Sequence, residues 1–169
     1  MSRFLPNNFD ASLPLALIAG QGQYPVLLAE RVRKAKIPLR LIELGGETSP
    51  ELVSSFPEVE RVAVKVGQVG KLLKELKKMK AGYAVMAGQV TPGKLFKGLQ
   101  PDLKAIRMLT SLERKNAETI FGAIGDEIEK VGVHLLDART FMDQDLAEEG
   151  LMVKGKEKIE PKHLNHGIE

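Results

Sequence analysis

The amino-acid sequence predicts an α/β protein, with a doubly wound sheet of about five mainly parallel strands and helices on both faces. Two observations predict it. Short apolar runs, typical of strands buried on both faces, alternate along the chain with longer segments of helical periodicity. Glycine also follows several of these runs directly, as expected where a strand ends in a turn. Because strands that alternate with helices join into parallel sheets through crossovers, the expected architecture is Rossmann-like.

The individual elements follow from local patterns. Leu15 to Ala19 is the clearest strand, because it is wholly apolar and ends at Gly20. Pro25 suits the first turn of the helix that follows, where its missing N–H is not needed. The remaining predicted strands lie at 38–44, 61–66, 82–87 and 133–136. The predicted helices lie at 26–36, 67–80, 102–110 and 117–130, with a brief helix at 138–144.

A chain of 169 residues is long enough for one domain with a sizeable core, and short for two. Residues 1–14 have no periodicity and are predicted to be a loose lead-in. Residues 15–146 carry all the predicted strands and form one α/β domain. From 147 to 169 the composition becomes charged and aperiodic, as in a linker, and 163–169 looks like the beginning of another helix.

Composition excludes several classes of protein. The chain has no cysteine, which rules out disulfides, thiolate zinc sites and a cysteine nucleophile, and fits a cytoplasmic location. No apolar run approaches the ~18 residues that a membrane-spanning helix needs. The net charge of +3 is compatible with an anionic ligand. Aromatic residues are only 5% of the chain and do not interleave with basic ones, so no nucleic-acid partner is expected.

Three glycine loops are the main candidates for a binding site. Parallel strands end at a common edge of the sheet, where ligands of such folds bind. Glycine allows the backbone to approach a ligand closely, and the free N–H groups of a following helix favour phosphate. The bland alternative is that these glycines only make turns. The loops comprise Gly20, Gln21 and Gly22, then Gly67, Gln68, Val69 and Gly70 with the adjoining Lys71, and finally Gly88, Gln89 and Val90.

The first loop also permits a dinucleotide-binding interpretation. Gly20 and Gly22 follow a strand, and Glu43 ends the next strand, where an acid that binds the ribose would lie. Pro25 stands in place of the third glycine of that fingerprint, so the match is incomplete. An NAD-dependent dehydrogenase therefore remains an alternative function.

No residue is predicted to be catalytic or to bind a metal. His134 lies within a predicted strand, and His163 and His166 have no neighbouring carboxylate pair of the metal-binding type. No Ser–His–acid pattern occurs in a familiar local context. Residues 71–80 form a basic amphipathic segment that could lie on an anionic membrane surface, but its apolar stripe is expected in the core. A non-enzymatic docking or dimerisation module is a further alternative.

Several motifs together resemble the amino-terminal half of a known enzyme family. The resemblance extends from about Leu15 to Glu169 and includes the charged stretch from Leu146 to Met152. Its motifs lie at 17–25, 69–74, 86–90, 94–96, 101–105 and 127–132. On these residues the chain resembles UDP-2,3-diacylglucosamine pyrophosphatases of the LpxI type, which belong to lipid A biosynthesis.

The resemblance implies a magnesium-dependent hydrolase with two domains and the substrate between them. The products would be 2,3-diacylglucosamine 1-phosphate (lipid X) and UMP. It implies that 15–146 is the substrate-binding domain, and that 147–169 leads into a catalytic domain that holds the metal ligands and is absent from this chain. The chain alone is therefore expected to be inactive. UDP-diacylglucosamine or lipid X, the missing carboxy-terminal domain and the inner membrane surface are the implied partners, and the glycine loops inherit a ligand-facing role.

Overall fold

The computed structural model describes residues 2–91, 101–114 and 116–146. Within these ranges there are five strands, and each of them was predicted, although the boundaries differ by up to two residues. They are β1 (Leu15–Ala19), β2 (Leu39–Leu44), β3 (Arg61–Val64), β4 (Tyr83–Ala87) and β5 (His134–Leu135). The helices are α1 (Tyr24–Lys34), α2 (Pro50–Ser54), α3 (Val69–Lys78), α4 (Leu103–Ser111) and α5 (Ala117–Lys130), with one 3₁₀ turn at Glu58–Glu60.

All strand pairs are parallel, and the strand order across the sheet is β3-β2-β1-β4-β5. The central strand β1 pairs with β2 on one side and with β4 on the other, so that Leu17 lies between Leu41 and Val85. This order confirms the predicted doubly wound α/β fold. It also places the reversal of strand order between β1 and β4, the position at which ligands of such sheets bind.

Each face of the sheet is covered by its own apolar core, because successive side chains of a strand point to opposite faces. Leu15 and Leu17 of β1 pack with α1 and α2. Ala16 and Ile18 pack on the other face with α3, α4 and α5. Every residue of β1 is buried, which explains why this strand is apolar throughout.

Two short elements were not predicted. Helix α2 begins with Pro50, and the Ser49 hydroxyl accepts a hydrogen bond of 3.2 Å from the Leu52 amide. Serine before proline is a recognised helix-start signal, so this helix was detectable from the sequence. The 3₁₀ turn at Glu58–Glu60 follows shortly after and leads into β3.

The brief helix predicted at 138–144 is wrong. The segment forms consecutive turns, in which the amides of Thr140 and Met142 donate to the carbonyls of Asp137 and Arg139. Phe141 has a φ of 67°, a left-handed conformation that ends any right-handed helix at this point.

Residues 2–14 form neither helix nor strand, and some of them contact the domain. The Phe9 ring lies 4.5 Å from the Tyr83 ring, measured between centroids, and the Asp10 amide donates to the Tyr83 hydroxyl at 2.7 Å. The Arg139 guanidinium lies 4.5 Å from the centre of the Phe4 ring. The predicted linker and helix start at 147–169, with His163 and His166, lie outside the described residues.

Helix α3 buries its apolar side as predicted. Leu72, Leu73 and Leu76 belong to the core, while Lys71 and Lys74 are exposed. Its apolar stripe is therefore not available to a membrane surface. Within the described ranges, no helix has both the length and the apolar character to cross a bilayer.

Candidate functional site

The loops that follow β1 and β4 meet at the carboxyl edge of the sheet. The Gln21 amide donates to the Gln89 carbonyl at 2.7 Å, and the Gln89 amide donates back to the Gln21 carbonyl at 3.1 Å. The Gly20 amide donates to the Ala87 carbonyl at 2.8 Å. Two of the three predicted loops are thus brought together, and they form one continuous rim at the reversal of strand order.

Glycine is required at this rim because the two backbones touch. A Cβ atom on Gly20 would lie 2.3 Å from the Gln89 carbonyl oxygen. A Cβ atom on Gly88 would lie 2.5 Å from the Gln21 oxygen and 2.8 Å from Pro25 Cγ. Real Cβ atoms do not approach other atoms so closely, so any side chain would separate the loops.

Gly22 differs from its neighbours because it faces open space. Its φ is +95°, but a Cβ atom here would meet no atom within 4 Å. Helix α1 begins two residues later, and among the residues that the structure describes no side chain caps its first turn. The amides of a helix start and the positive end of its dipole favour an anion. This end of the rim therefore has both room and suitable donors for a phosphate group.

The third glycine loop lies apart from the other two. It follows β3, which is two strand positions away from β1, or roughly 10 Å. The start of α3 is already occupied by a carboxylate of the protein, since Asp102 Oδ2 accepts the Lys71 amide at 3.2 Å. The Asp102 side chain also caps α4, with Oδ1 accepting the Ala105 amide at 2.9 Å, and its own amide donates to the Gly67 carbonyl at 3.3 Å.

Asp102 makes the third glycine loop unfavourable for binding an anion. A Cβ atom on Gly70 would lie 3.0 Å from Asp102 Oδ2, so a side chain here would crowd this carboxylate. An incoming phosphate would have to displace this carboxylate and would be repelled by it. Sequence reasoning recognised Asp102 only as the beginning of a helix. Its contact with α3, 31 residues away along the chain, has no local signal.

Glu47 is a second residue that sequence reasoning missed. It is only 4% exposed, and its Oε2 atom accepts hydrogen bonds from the Gln21 side chain at 2.8 Å and from the Thr91 amide at 2.8 Å and hydroxyl at 3.0 Å. The adjacent Thr48 hydroxyl donates to the Ala19 carbonyl at 2.5 Å and accepts from the Leu44 amide. The loop after β2 therefore orients the Gln21 side chain and Thr91, the residue that follows the glycine loop at 88–90.

An apolar cavity of about 90 Å³ lies behind this edge, between the sheet and helices α3, α4 and α5. The loops after β3 and β4 contribute part of its lining, including Lys65, Gln68 and Val90. The helices and the sheet contribute the rest, including Met86 of β4, Met108 and Leu109 of α4, and Phe121 and Ile124 of α5. Val90 and Gln68, both predicted to face a ligand, thus line the same cavity.

The ionisable groups near the start of α1 are few. Tyr24 has a raised pKa because its hydroxyl is desolvated and lies near the negative charge of Asp137. Arg139 donates to both carboxylate oxygens of Asp137 and lowers the pKa of Asp137 to about 2. Glu43 pairs with Ala19 in the sheet and is half-buried near the end of β2, at the position expected of a ribose-binding acid.

His134, which was not expected to bind a metal, lies on β5. Its Nδ1 atom lies 3.2 Å from Glu129 Oε1, and its side chain is 52% exposed. Within the described ranges, no three His, Cys, Asp or Glu side chains come together in a way that could hold a metal ion. The described residues thus offer loops and a cavity for binding.

Comparison with known proteins identifies the family of this chain. The model of the LpxI N-terminal domain matches residues 14–145, well over half of the 169 residues. No match is found among curated proteins. The matched range includes β1 to β5 and all three glycine loops. The chain therefore belongs to the LpxI N-terminal domain family, a family of lipid A biosynthesis.

Proposed function

We propose that this chain is the substrate-binding domain of a magnesium-dependent pyrophosphatase that hydrolyses UDP-2,3-diacylglucosamine to lipid X and UMP. One observation carries the proposal: an uncapped helix start, suited to phosphate, and an apolar cavity, suited to hydrocarbon, lie at the same edge of the sheet. A phosphorylated glycolipid combines these two chemistries. Family membership supports the assignment to lipid A biosynthesis.

The proposed roles of the loops differ. The joined rim, comprising Gly20, Gln21 and Gly22 with Gly88, Gln89 and Val90, supplies the phosphate-facing surface at the start of α1. The loop at 67–70 contributes chiefly the cavity wall, because Asp102 already occupies the start of α3. Lys71 is exposed beside this loop and is free to attract an anion by charge alone.

The chemical step is assigned to a second domain. Cleavage of a pyrophosphate bond needs charge neutralisation by a metal and a positioned water. The described residues hold no group of carboxylates for that purpose, so we propose that magnesium binds to the second domain and that this chain alone does not turn over substrate. Its task is to bind the lipid substrate and orient it, with the inner membrane surface as the source of that lipid.

Titration calorimetry with lipid X tests the binding role. Gly22→Val should weaken binding at least tenfold, because a β-branched residue cannot adopt the φ of +95° and its side chain enters the open space beside α1. Gly122→Val is the matched control, since Gly122 lies on α5, where an added Cβ also meets no atom. Equal affinity of both variants for lipid X would contradict the proposal.

A second assay tests the division of labour. The chain alone and a fusion with the second domain of the family are compared for magnesium-dependent UMP release. Turnover by the fusion only is the expected result. Turnover by this chain alone would overturn the assignment of the chemical step to the second domain.

A dinucleotide-binding function is the second candidate, favoured by Glu43 at the end of β2 next to β1. A fluorescence titration with NADH decides this question. Binding that is lost in Glu43→Ala would support the dehydrogenase, and no binding would remove it. A docking or dimerisation module predicts instead that Gly22→Val leaves the lipid affinity unchanged.

A further inference from the structure

The Gln21 side chain is held in one orientation by two acceptors. Its Nε2 atom donates to Glu47 Oε2 at 2.8 Å and to the Thr91 hydroxyl at 3.0 Å. A carboxamide nitrogen carries two hydrogens, so both of them are used. Gln21 is nevertheless exposed, and among the residues that the structure describes no donor contacts its Oε1 atom. The carboxamide therefore presents an acceptor, and not a donor, to the outside of the rim.

The hydrogen bonds around Glu47 exclude the opposite orientation of this carboxamide. The Thr91 amide can only donate, and it donates to Glu47 Oε2 at 2.8 Å. The Thr91 hydroxyl gives its single hydrogen to the same oxygen at 3.0 Å, which leaves only its lone pairs for Gln21. If the Gln21 oxygen faced Glu47 and Thr91 instead of the nitrogen, it would meet two acceptors and both hydrogen bonds would be lost.

The fold fixes Glu47 in the position that this arrangement needs. Glu47 is only 4% exposed, and its amide donates to the Leu44 carbonyl at the end of β2, at 2.8 Å. The adjacent Thr48 hydroxyl donates to the Ala19 carbonyl of β1 at 2.5 Å. The loop after β2 is thus tied to both strands. A buried carboxylate that is held in this way is a rigid reference for the Gln21 amide.

We propose that the Gln21 carboxamide oxygen accepts a hydrogen bond from the ligand, and that Glu47 and Thr91 are positioning residues that fix this polarity. The inference rests on the proposed function and deepens it, because it divides the rim into two parts of different chemistry. The start of α1, beside Gly22, offers backbone donors for phosphate. An ionised phosphate has no hydrogen to donate, so Gln21 selects instead a hydroxyl or N–H group of the sugar or base attached to that phosphate.

Ligands that lack one donor test this selection. In lipid X, the sugar hydroxyls on C4 and C6 are replaced in turn by hydrogen, and the amide on C2 is methylated. In UMP, the ribose hydroxyls are replaced in turn by hydrogen, and the base is methylated at N3. Titration calorimetry on the full chain compares each analogue with its parent compound. Removal of the donor that contacts Gln21 should weaken binding about fivefold, and the analogue that shows this loss identifies the sugar or the base as its source.

Three pairs of measurements assign the effect to Gln21 and its positioning residues. Gln21→Met keeps the length of the side chain but removes the acceptor, so parent and analogue should bind equally. Gln144→Met is the matched control and should keep the fivefold discrimination, because the exposed Gln144 lies in a groove with Glu30 and Lys34, toward the far end of α1. Thr91→Val removes the hydroxyl and should reduce the discrimination to threefold or less, whereas Thr91→Ser should retain it. In NMR spectra of the unliganded wild-type chain, both side-chain N–H groups of Gln21 should exchange with solvent more slowly than those of Gln144.

The outcomes separate this inference from the proposed function. If lipid X or UMP binds but no analogue is discriminated against, or if the discrimination persists in Gln21→Met, the role of Gln21 is refuted and the binding function stands. Equal discrimination by Thr91→Val and Thr91→Ser, or equally fast exchange of the Gln21 and Gln144 side chains, refutes the positioning role. If neither compound binds, the proposed function is wrong and the inference is refuted with it.

Discussion

Three glycines allow the cost of backbone conformation to be separated from the cost of crowding at the rim. Gly88 has a φ of +89° and would place a Cβ atom 2.5 Å from the Gln21 oxygen. Gly22 has a similar φ of +95° but open space around it, and Gly122 lies in a helix with open space. Replacing each with alanine therefore adds the same methyl group to three different environments.

The expected changes in the free energy of unfolding follow from these environments. Gly122→Ala should stabilise the protein by about 0.5–1 kcal/mol, because alanine is the better helix former. Gly22→Ala should destabilise it by about 1–2 kcal/mol through its unfavourable φ alone. Gly88→Ala incurs the same strain and also separates the loops, which loses two backbone hydrogen bonds of about 1 kcal/mol each. The total for Gly88→Ala is about 3–4 kcal/mol.

Urea unfolding monitored by circular dichroism measures the three values, and thermal unfolding provides a check. For a chain of this size, each 1 kcal/mol should move Tm by about 2–4 °C. The ranking is the decisive result. If Gly22→Ala is as destabilising as Gly88→Ala, contact between the two loops does not account for the glycine at 88, and the rim described above is wrong.

Three further predictions concern charged groups. Asp102→Ala should lower the free energy of unfolding by about 1.5 kcal/mol and Asp102→Asn by less, since asparagine keeps the α4 cap but not the negative charge at the start of α3. Urea unfolding measures both values, with the exposed Asp126→Asn as control. Equal losses for the two Asp102 variants would contradict the role of Asp102 at the starts of both helices. Glu47→Gln should cost about 1–3 kcal/mol, because the donors on Gln21 and Thr91 then face a neutral amide oxygen instead of a charged carboxylate oxygen, which forms stronger hydrogen bonds. The exposed Glu51→Gln should cost almost nothing in the same assay. Arg139 lowers the pKa of Asp137 to about 2, so this pair stabilises the fold fully above pH 3.8 and loses its effect as the pH falls toward 2. In Arg139→Gln, an NMR titration should show the pKa of Asp137 returning toward 3.8. An unchanged pKa would refute the pairing.

The fold was largely predictable because its main signals are local. The apolar run of β1 and the helical periodicity of α5 are readable within a single window of sequence, and both elements have their predicted bounds. The error at 138–144 arose because nothing in the sequence identifies Phe141 as left-handed. The anchoring of residues 2–14 depends on Phe9 and Tyr83, which are far apart in the sequence and meet only after folding.

The candidate site was less predictable for the same reason. Glycines at strand ends indicated the carboxyl edge of the sheet, but strand order decides which loops meet, and the sequence does not contain that order explicitly. Glu47 contacts Thr91 across 44 residues, and Asp102 contacts Lys71 across 31. Neither carboxylate lies in a recognisable motif, so its role at the site depends on tertiary contacts alone.

The docking of the amino-terminal segment has a practical consequence. The family match begins at residue 14, so a chain shortened to that boundary would lose Phe4, Phe9 and the Asp10 amide. Tyr83 would then lose its contact with the Phe9 ring and its hydrogen-bond donor, and apolar surface beside β4 would become exposed to solvent. A chain that begins at the family boundary should therefore be less stable and more prone to aggregation than the chain with its first thirteen residues.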